Sequence, residues 1–144
     1  MGTPTPTTLE GFTAAWLTGT LRAAGAIDDG TEVVDVRQQI LGTGEGFMGE
    51  LARLTLTYAG GDGPAAVIAK IPTQITPNRA LGKTLGIYER EARCYADIIP
   101  ALDVPAPKVY AAIYEAAGDE AELAERMLKA EKLPVWALRL LLRR

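Results

Sequence analysis

The fold is decided by residues 42–58, GTGEGFMGELARLTLTY. The Gly-x-Gly-x-x-Gly spacing of residues 44–49 satisfies the dinucleotide-binding fingerprint, but that fingerprint requires a helix immediately after the glycines. The residues that follow instead alternate between polar and apolar side chains, with the apolar ones at positions 54, 56 and 58, which is the two-residue period of a strand. The sequence therefore predicts that the glycines join two antiparallel strands, and it disfavours a Rossmann fold.

Three more segments have the composition of strands. They are residues 32–37, 65–71 and 108–114, each closely preceded by a glycine or proline turn. In the first of them we expect Val34 and Val36 to lie on one face. Together with the strand that follows the glycines, these segments predict an antiparallel sheet of about four or five strands.

One helix is predicted before the first strand and another after the third. Residues 8–24 carry apolar side chains at helical spacing behind the capping box Thr7-Thr8-Leu9-Glu10. A second helix is expected over residues 76–98, beginning with a proline at its first position and weakened early by Gly82 and Gly86. The fold class is therefore α+β, with the second helix packed on the sheet and the first at its edge.

The pattern divides the chain into three parts. Residues 1–7 form a disordered start, and residues 8–117 form the α+β lobe. Residues 118–144 are expected to be an atypical helical tail, because glutamates there precede arginine or lysine by four residues, which supports a helix.

Composition limits the classes of function. The net charge of −3 and the isoelectric point near 5.0 argue against a general nucleic-acid binder. Residues 1–7 do not have the basic and apolar regions of a signal peptide, and no run of about 18 apolar residues predicts a transmembrane segment. Cys94 is the only cysteine; it excludes an intrachain disulfide, fits a reducing cytoplasmic location, and is expected to be a core residue.

Three features in a fixed order suit the binding of a triphosphate. The glycine-rich residues 42–49 would let backbone amides approach phosphate oxygens. Lys70 closes the apolar run of residues 65–70 and would supply a positive charge, and a glutamate on the following helix would hold it in place. Each feature also has a simpler interpretation. The glycines would form an ordinary hairpin turn, Lys70 would be an ordinary strand lysine, and the glutamate would be a solvent-exposed charge on a helix.

With these features in this order, the chain resembles the N-terminal lobe of the aminoglycoside phosphotransferase and choline kinase-like superfamily, in its bacterial branch related to the ecdysteroid kinase-like proteins. The resemblance covers roughly residues 8–117. It is carried by five stretches: Trp16-Leu17, residues 41–54, residues 67–70, residues 88–95 and residues 104–110.

The resemblance implies ATP as the nucleotide, with Lys70 on its α- and β-phosphates. It implies Glu91 rather than Glu89 as the ion-pair partner of this lysine, because Glu91 and Tyr95 match the family's Glu-x-x-x-Tyr pattern. Ile68, on the same strand face as Lys70, would line the adenine pocket. The loop residues that would fold over the phosphates are Gly42, Gly44, Gly46, Phe47 and Gly49.

The expected departure from this family comes after Gly118. A further strand, a hinge and a helical lobe with two functional aspartates should follow there, whereas we expect only a charged helix and a Leu/Arg tail. Magnesium binding would then need residues absent from this chain, unless a second chain supplies them. A natural truncation, a frameshifted or split reading frame and a fragment all stay open. The expected function is an ATP-clamping lobe of a small-molecule phosphotransferase that is not catalytic alone.

The alternative is a non-enzymatic role. The apolar and basic residues 136–144 could lie on an anionic membrane or dock against a partner helix. A lobe without its second half would also expose an apolar surface that invites a protein partner.

Overall fold

The structure is a computed structural model, and it describes residues 5–42, 48–103, 105–115 and 124–130. Five antiparallel strands form one sheet in the spatial order β1-β2-β3-β5-β4. This confirms the predicted α+β class and the antiparallel sheet. The strands are β1 (Glu32–Leu41), β2 (Gly49–Ala59), β3 (Ala66–Pro72), β4 (Val109–Glu115) and β5 (Ala124–Ala130).

The helical segments are short. A 3₁₀ turn (Leu9–Gly11) precedes α1 (Ala14–Ala23), and α2 (Thr76–Thr84) and α3 (Ile87–Arg93) lie between β3 and β4. A π-helical segment (Cys94–Ile98) continues α3 and ends in a second 3₁₀ turn (Ile99–Ala101).

The first helix begins later than its capping box predicts. The hydroxyl of Thr13 accepts a hydrogen bond from the backbone N–H of Trp16 at 3.3 Å, so Thr13 is the N-cap, while Thr8 makes no capping bond. Pro6 is buried, and the Thr7 carbonyl accepts a hydrogen bond from Gln74. These two residues therefore lie against the folded lobe.

One face of the sheet, which we call the closed face, is fully packed. Alternate residues of β2 and β3 point to it and are buried: Ala52, Leu54 and Leu56 on β2, and Val67, Ala69 and Ile71 on β3. They form one apolar cluster with the first helical region, which contributes Leu9, Phe12, Trp16, Leu17 and Leu21. Burial of this cluster is the main source of stability in the lobe.

The opposite face of β2 and β3, which we call the open face, is only partly covered. The intervening residues point to it and are half-buried: Leu51, Arg53, Thr55, Ile68 and Lys70. Helix α3 contacts β4 and β5 and reaches Lys70 through an ion pair, so it covers one side of this face.

The first strand corrects one prediction. The pairing of β1 with β2 shifts register between Val33 and Asp35, which is a β-bulge at Val34. The extra residue sends Val34 outward, where it is 54% exposed, while Val33 is buried and Val36 packs against the core. The prediction that Val34 and Val36 share a face is therefore wrong, since a strict two-residue period does not hold across a bulge.

The helix predicted over residues 76–98 is interrupted. Gly86 adopts a left-handed conformation with φ +62°, which ends α2 and lets the chain start α3 in a new direction. The backbone then widens into the π-helical segment at Cys94. Cys94 is half-buried, so the prediction that it is a core residue is wrong. Glycine is the residue type that adopts this conformation without a steric penalty, so the break follows from Gly86 itself.

The helical prediction is wrong for residues 124–130. They form β5, which lies between β3 and β4 with Ala130 opposite Val67 and Lys129 opposite Val109. Alanine, glutamate, arginine, methionine, leucine and lysine all favour helices, but hydrogen bonds to strands on both sides outweigh that local preference. The sheet therefore extends beyond residue 117. The rest of the predicted helical tail lies outside the described residues.

Candidate functional site

An ion pair on the open face joins a strand to a helix. The Lys70 Nζ atom donates to the Glu91 Oε2 atom, and the two side chains are 19% and 27% exposed. The predicted meeting of these two residues is thus confirmed. A lysine and a carboxylate that are both largely withdrawn from water are screened less by salt than a surface pair.

Strand periodicity places Lys70 there. Ala69 and Ile71 are buried in the core on the closed face, so Lys70 between them must point to the open face. The same alternation puts Ile68 on the open face, as the sequence predicts.

Helix α3 places Glu91 opposite the lysine. Tyr88 and Ala92 are four residues apart on the helix and both are buried, at 1% and 3% exposure. Glu91 is three residues after Tyr88 and therefore lies beside this buried stripe. Glu89 instead points outward and pairs with Arg93 at 2.8 Å along the helix, which agrees with the choice of Glu91 over Glu89.

The end of the glycine-rich stretch contacts the lysine directly. A Cβ atom on Gly49 would lie 2.9 Å from the Lys70 Cε atom and 3.1 Å from the Ile71 carbonyl oxygen. Any larger residue at position 49 would therefore push on the lysine side chain. Gly42 lies just after the end of β1, and residues 43–47, which include Gly44, Gly46 and Phe47, lie outside the described residues.

The returning end of this stretch is tied to the segment that follows β3. The Met48 carbonyl accepts a hydrogen bond from the Thr73 N–H at 3.2 Å. One residue further on, the Glu50 Oε1 atom accepts from the Gln74 N–H at 3.0 Å. These bonds fix the base of the glycine-rich stretch beside the end of the lysine strand. The sequence interpretation missed them, because neither a single backbone bond between two turns nor a side-chain to backbone bond leaves a periodic signal.

A second cation lies beside Ile68. Arg53 pairs with Ile68 across the β2–β3 register, and its Nη1 atom donates to the Thr55 hydroxyl at 3.0 Å. The open face thus presents an apolar side chain between two cationic ones, Arg53 and Lys70. The sequence interpretation overlooked Arg53, although its place on the polar side of the β2 alternation signalled its presence on this face.

The clearest pKa shift lies elsewhere, on the closed side of the sheet. Burial raises the pKa of Tyr58 to about 12, and the nearby Tyr110 adds to the shift. Burial also raises the pKa of Tyr110. The Tyr58 hydroxyl donates to the Pro64 carbonyl at 2.7 Å, so this tyrosine has a structural role in the β2–β3 turn.

The strand lysine, the helix glutamate and the adjoining glycine turn agree with one family of known proteins. The sequence model of the ecdysteroid kinase-like family matches residues 43–140, more than half of the chain. The chain belongs to this family. The match includes Lys70, Glu91 and the whole of β5, the strand that the sequence interpretation took for a helix. No curated protein and no solved structure matches the chain.

Two searches of the described residues returned nothing. No helix in residues 5–42, 48–103, 105–115 or 124–130 is long and apolar enough to cross a membrane. Within the same ranges, no three histidine, cysteine, aspartate or glutamate side chains are grouped so that they could hold a metal ion.

Proposed function

We propose that this chain is an ATP-clamping lobe of a small-molecule phosphotransferase. The observation that carries the proposal is the half-buried ion pair between Lys70 and Glu91 beside the glycine-rich stretch. In a kinase-like protein, a strand lysine held by a helix glutamate is the group that binds the α- and β-phosphates. Membership of the ecdysteroid kinase-like family supports the same role.

The proposed roles follow from the positions of the residues. Lys70 binds phosphate oxygens as a point charge, and Glu91 keeps its ammonium group at the open face when no nucleotide is bound. Gly42 and Gly49, at the two ends of the glycine-rich stretch, allow the backbone between them to approach the phosphates. Ile68 lies one pleat away from Lys70 on the same face and offers an apolar surface to the adenine ring.

We further propose that these 144 residues alone do not transfer phosphate. In-line transfer requires a metal ion that neutralises developing charge and a group that orients or deprotonates the acceptor. Lys70 and Glu91 supply a positive charge and its anchor, and neither performs those two tasks. Magnesium and the acceptor would then be held by a C-terminal lobe, outside these 144 residues.

Nucleotide binding tests the first proposal. Titration calorimetry with ATP should show weak binding that Lys70→Ala reduces about tenfold to hundredfold, the loss expected for a hydrogen bond to a charged group. Glu91→Gln should reduce affinity by a smaller factor, since it removes the anchor and leaves the charge. The matched control is Glu89→Gln on the same helix, which should bind ATP as the wild type does. Equal affinity in the wild type and Lys70→Ala would contradict the proposal.

A coupled ATP-consumption assay tests the second proposal, that these 144 residues alone do not transfer phosphate. We expect no turnover above background for the purified chain. Turnover that disappears in Lys70→Ala would show that the chain contains a catalytic group that the proposal does not include.

A protein-interaction role is the second candidate. It is favoured by large apolar side chains that α2 and the segment after α3 leave exposed by 43–52%: Leu81, Leu85, Ile98 and Leu102. Size-exclusion chromatography of the wild type and a Leu81→Lys, Leu85→Lys variant tests it. Self-association that the variant abolishes would support this role, and a monomer in both would count against self-association through α2.

A further inference from the structure

One cation on the open face has no part in the proposed function. Arg53 stands directly opposite Ile68 in the register of β2 and β3, so the Cβ atoms of these two residues are about 5 Å apart. Ala52 and Leu54, on either side of Arg53, are buried on the closed face, which directs the arginine side chain to the open face. The apolar surface that Ile68 offers to a base therefore has a guanidinium group beside it.

The position of this guanidinium along the strands favours a contact with the base over one with the phosphates. Leu51, and not Arg53, stands opposite Lys70, so Arg53 lies two residues, about 7 Å, farther from the glycine-rich stretch. Its Nη1 atom donates to the Thr55 hydroxyl at 3.0 Å, and Thr55 lies farther still along β2. The arginine therefore extends away from the phosphate end of the site. Because the sugar joins the base to the phosphates, a base on Ile68 presents to Arg53 the edge opposite its sugar.

A guanidinium discriminates between bases by the groups on that edge. It has five N–H donors and no acceptor, so it can hold the Thr55 hydroxyl and bind a pair of acceptors at the same time. Guanine and hypoxanthine carry two adjacent acceptors, O6 and N7, which match two parallel N–H groups of an arginine. Adenine carries an amino group at position 6, which sets N–H against N–H and offers only the N7 acceptor. An arginine in this place therefore favours purines with an oxygen at position 6.

We propose that Arg53 determines the base specificity of the nucleotide site, and that the site binds GTP and other 6-oxopurine nucleotides more tightly than ATP. The proposal rests on the proposed function, because it has the base on Ile68 and the phosphates on Lys70. It adds a second class of nucleotide and a role for Arg53 that the ion pair of Lys70 and Glu91, at the phosphate end, does not have. ATP still binds, with one hydrogen bond from Arg53 fewer than GTP.

Titration calorimetry of the full 144-residue chain with purine nucleotides tests this proposal. We expect GTP and inosine triphosphate to bind about tenfold more tightly than ATP, the discrimination expected for a bidentate arginine contact. Inosine triphosphate lacks the 2-amino group of guanine, so similar affinities for these two nucleotides assign the preference to position 6. The analogue 7-deaza-GTP, which lacks the N7 acceptor, should lose most of the advantage over ATP.

Three variants assign the preference to Arg53. Arg53→Met keeps an unbranched side chain and removes the donors, so GTP and ATP should bind with similar affinities. Arg53→Gln offers one donor and one acceptor, the pair that matches adenine, so the ratio of affinities should shift towards ATP. The matched control is Gln39→Met, because Gln39 stands opposite Arg53 on β1 and is exposed; it should keep the wild-type ratio. Each variant is first checked by circular dichroism, and Arg53→Gln carries the test if Arg53→Met does not fold.

The possible results separate this proposal from the proposed function. ATP binding that depends on Lys70, with GTP no tighter than ATP, would overturn the role of Arg53 and leave the proposed function intact. A preference for GTP that survives Arg53→Met would place base recognition elsewhere. A loss of affinity by the same factor for all the nucleotides in Arg53→Met would mean that Arg53 contacts the phosphates or the sugar. No binding of any nucleotide to the wild type would overturn both proposals.

Discussion

The two faces of the sheet differ in what covers them. The closed face buries six alternate side chains of β2 and β3 against α1 and the first 3₁₀ turn, with four of them 0% exposed: Ala52, Leu54, Val67 and Ala69. The open face carries Lys70, Arg53 and Ile68, all half-buried, with α3 over one side only.

This difference separates stability from binding on a single pair of strands. Because successive side chains of a strand point to opposite faces, Ala69 contributes to the core while its neighbour Lys70 faces the site. Changes on the closed face should therefore unfold the lobe, and changes on the open face should spare the fold and alter binding.

The largest expected effect is on the closed face. Leu54→Ala removes a fully buried side chain from a central strand and should lower the free energy of unfolding by about 3 kcal/mol, because a cavity is left behind. Denaturant unfolding followed by circular dichroism measures it. The control, Leu81→Ala at a 43% exposed position on α2, should change stability by about 0.5 kcal/mol or less. Similar losses in the two variants would mean that the closed face is not the main core.

Two glycines in helices test the same difference between packed and open positions. A Cβ atom on Gly82 would lie 2.7 Å from three ring and hydroxyl atoms of the buried Tyr88, which anchors α3. Gly82→Ala should therefore destabilise the lobe by about 1–2 kcal/mol, since overpacking outweighs the gain in helix propensity. Gly19 on α1 has open space around it, and Gly19→Ala should stabilise by about 0.5–1 kcal/mol. Thermal unfolding measures the change in stability of both variants. Changes of the same sign would contradict the difference in packing around the two glycines.

On the open face, Lys70→Met tests whether the site is separable from the core. The substitution keeps the length of the side chain and removes its charge, so the free energy of unfolding should fall by about 1–2 kcal/mol, less than for Leu54→Ala, while the affinity for ATP falls about tenfold to hundredfold. Denaturant unfolding and calorimetry on one preparation give both quantities. A variant that unfolds before its binding can be measured would show that the ion pair belongs to the structural core.

The smallest expected effect is a dependence of stability on alkaline pH. The folded-state pKa of Tyr58 is about 12, above the usual value near 10, because burial disfavours the charged form. Above about pH 10 the unfolded chain releases this proton more readily than the folded chain, so stability falls as the pH rises towards 12. The melting temperature between pH 8 and 11 measures the slope. Tyr58→Phe should flatten it, and should lose about 1 kcal/mol at neutral pH with the hydrogen bond to Pro64.

The parts of the fold that follow from local patterning could be predicted from the sequence. The alternation in β2 identifies its buried residues, and the same rule places Lys70 and Ile68 on one face. The meeting of Lys70 and Glu91 was predicted from the strand face of the lysine and the helix face of the glutamate together with the family resemblance, which pairs these two residues. The phosphate-binding roles assigned to the glycine-rich stretch stay predictions.

The remaining features depend on contacts that the sequence does not display. A bulge at Val34 adds one residue and reverses the face on which the side chains before it lie. Residues 124–130 have helical composition, and only the strands on both sides of them make them extended. The close approach of Gly49 to Lys70 is also a property of the strand register, so it had no separate signal in the chain.

The central position of β5 has a consequence for the order in which the lobe forms. Strands β1, β2 and β3 follow one another along the chain and pair as neighbours, so they can assemble through short-range contacts. In contrast, β4 joins the sheet only through β5, which is made more than fifty residues after β3. Until residues 124–130 leave the ribosome, the edge of β3 that will pair with β5 has unpaired backbone groups, to which another chain can bind. During the same time β4 has no strand of the sheet to pair with. We therefore expect chains that end before residue 124 to aggregate during synthesis.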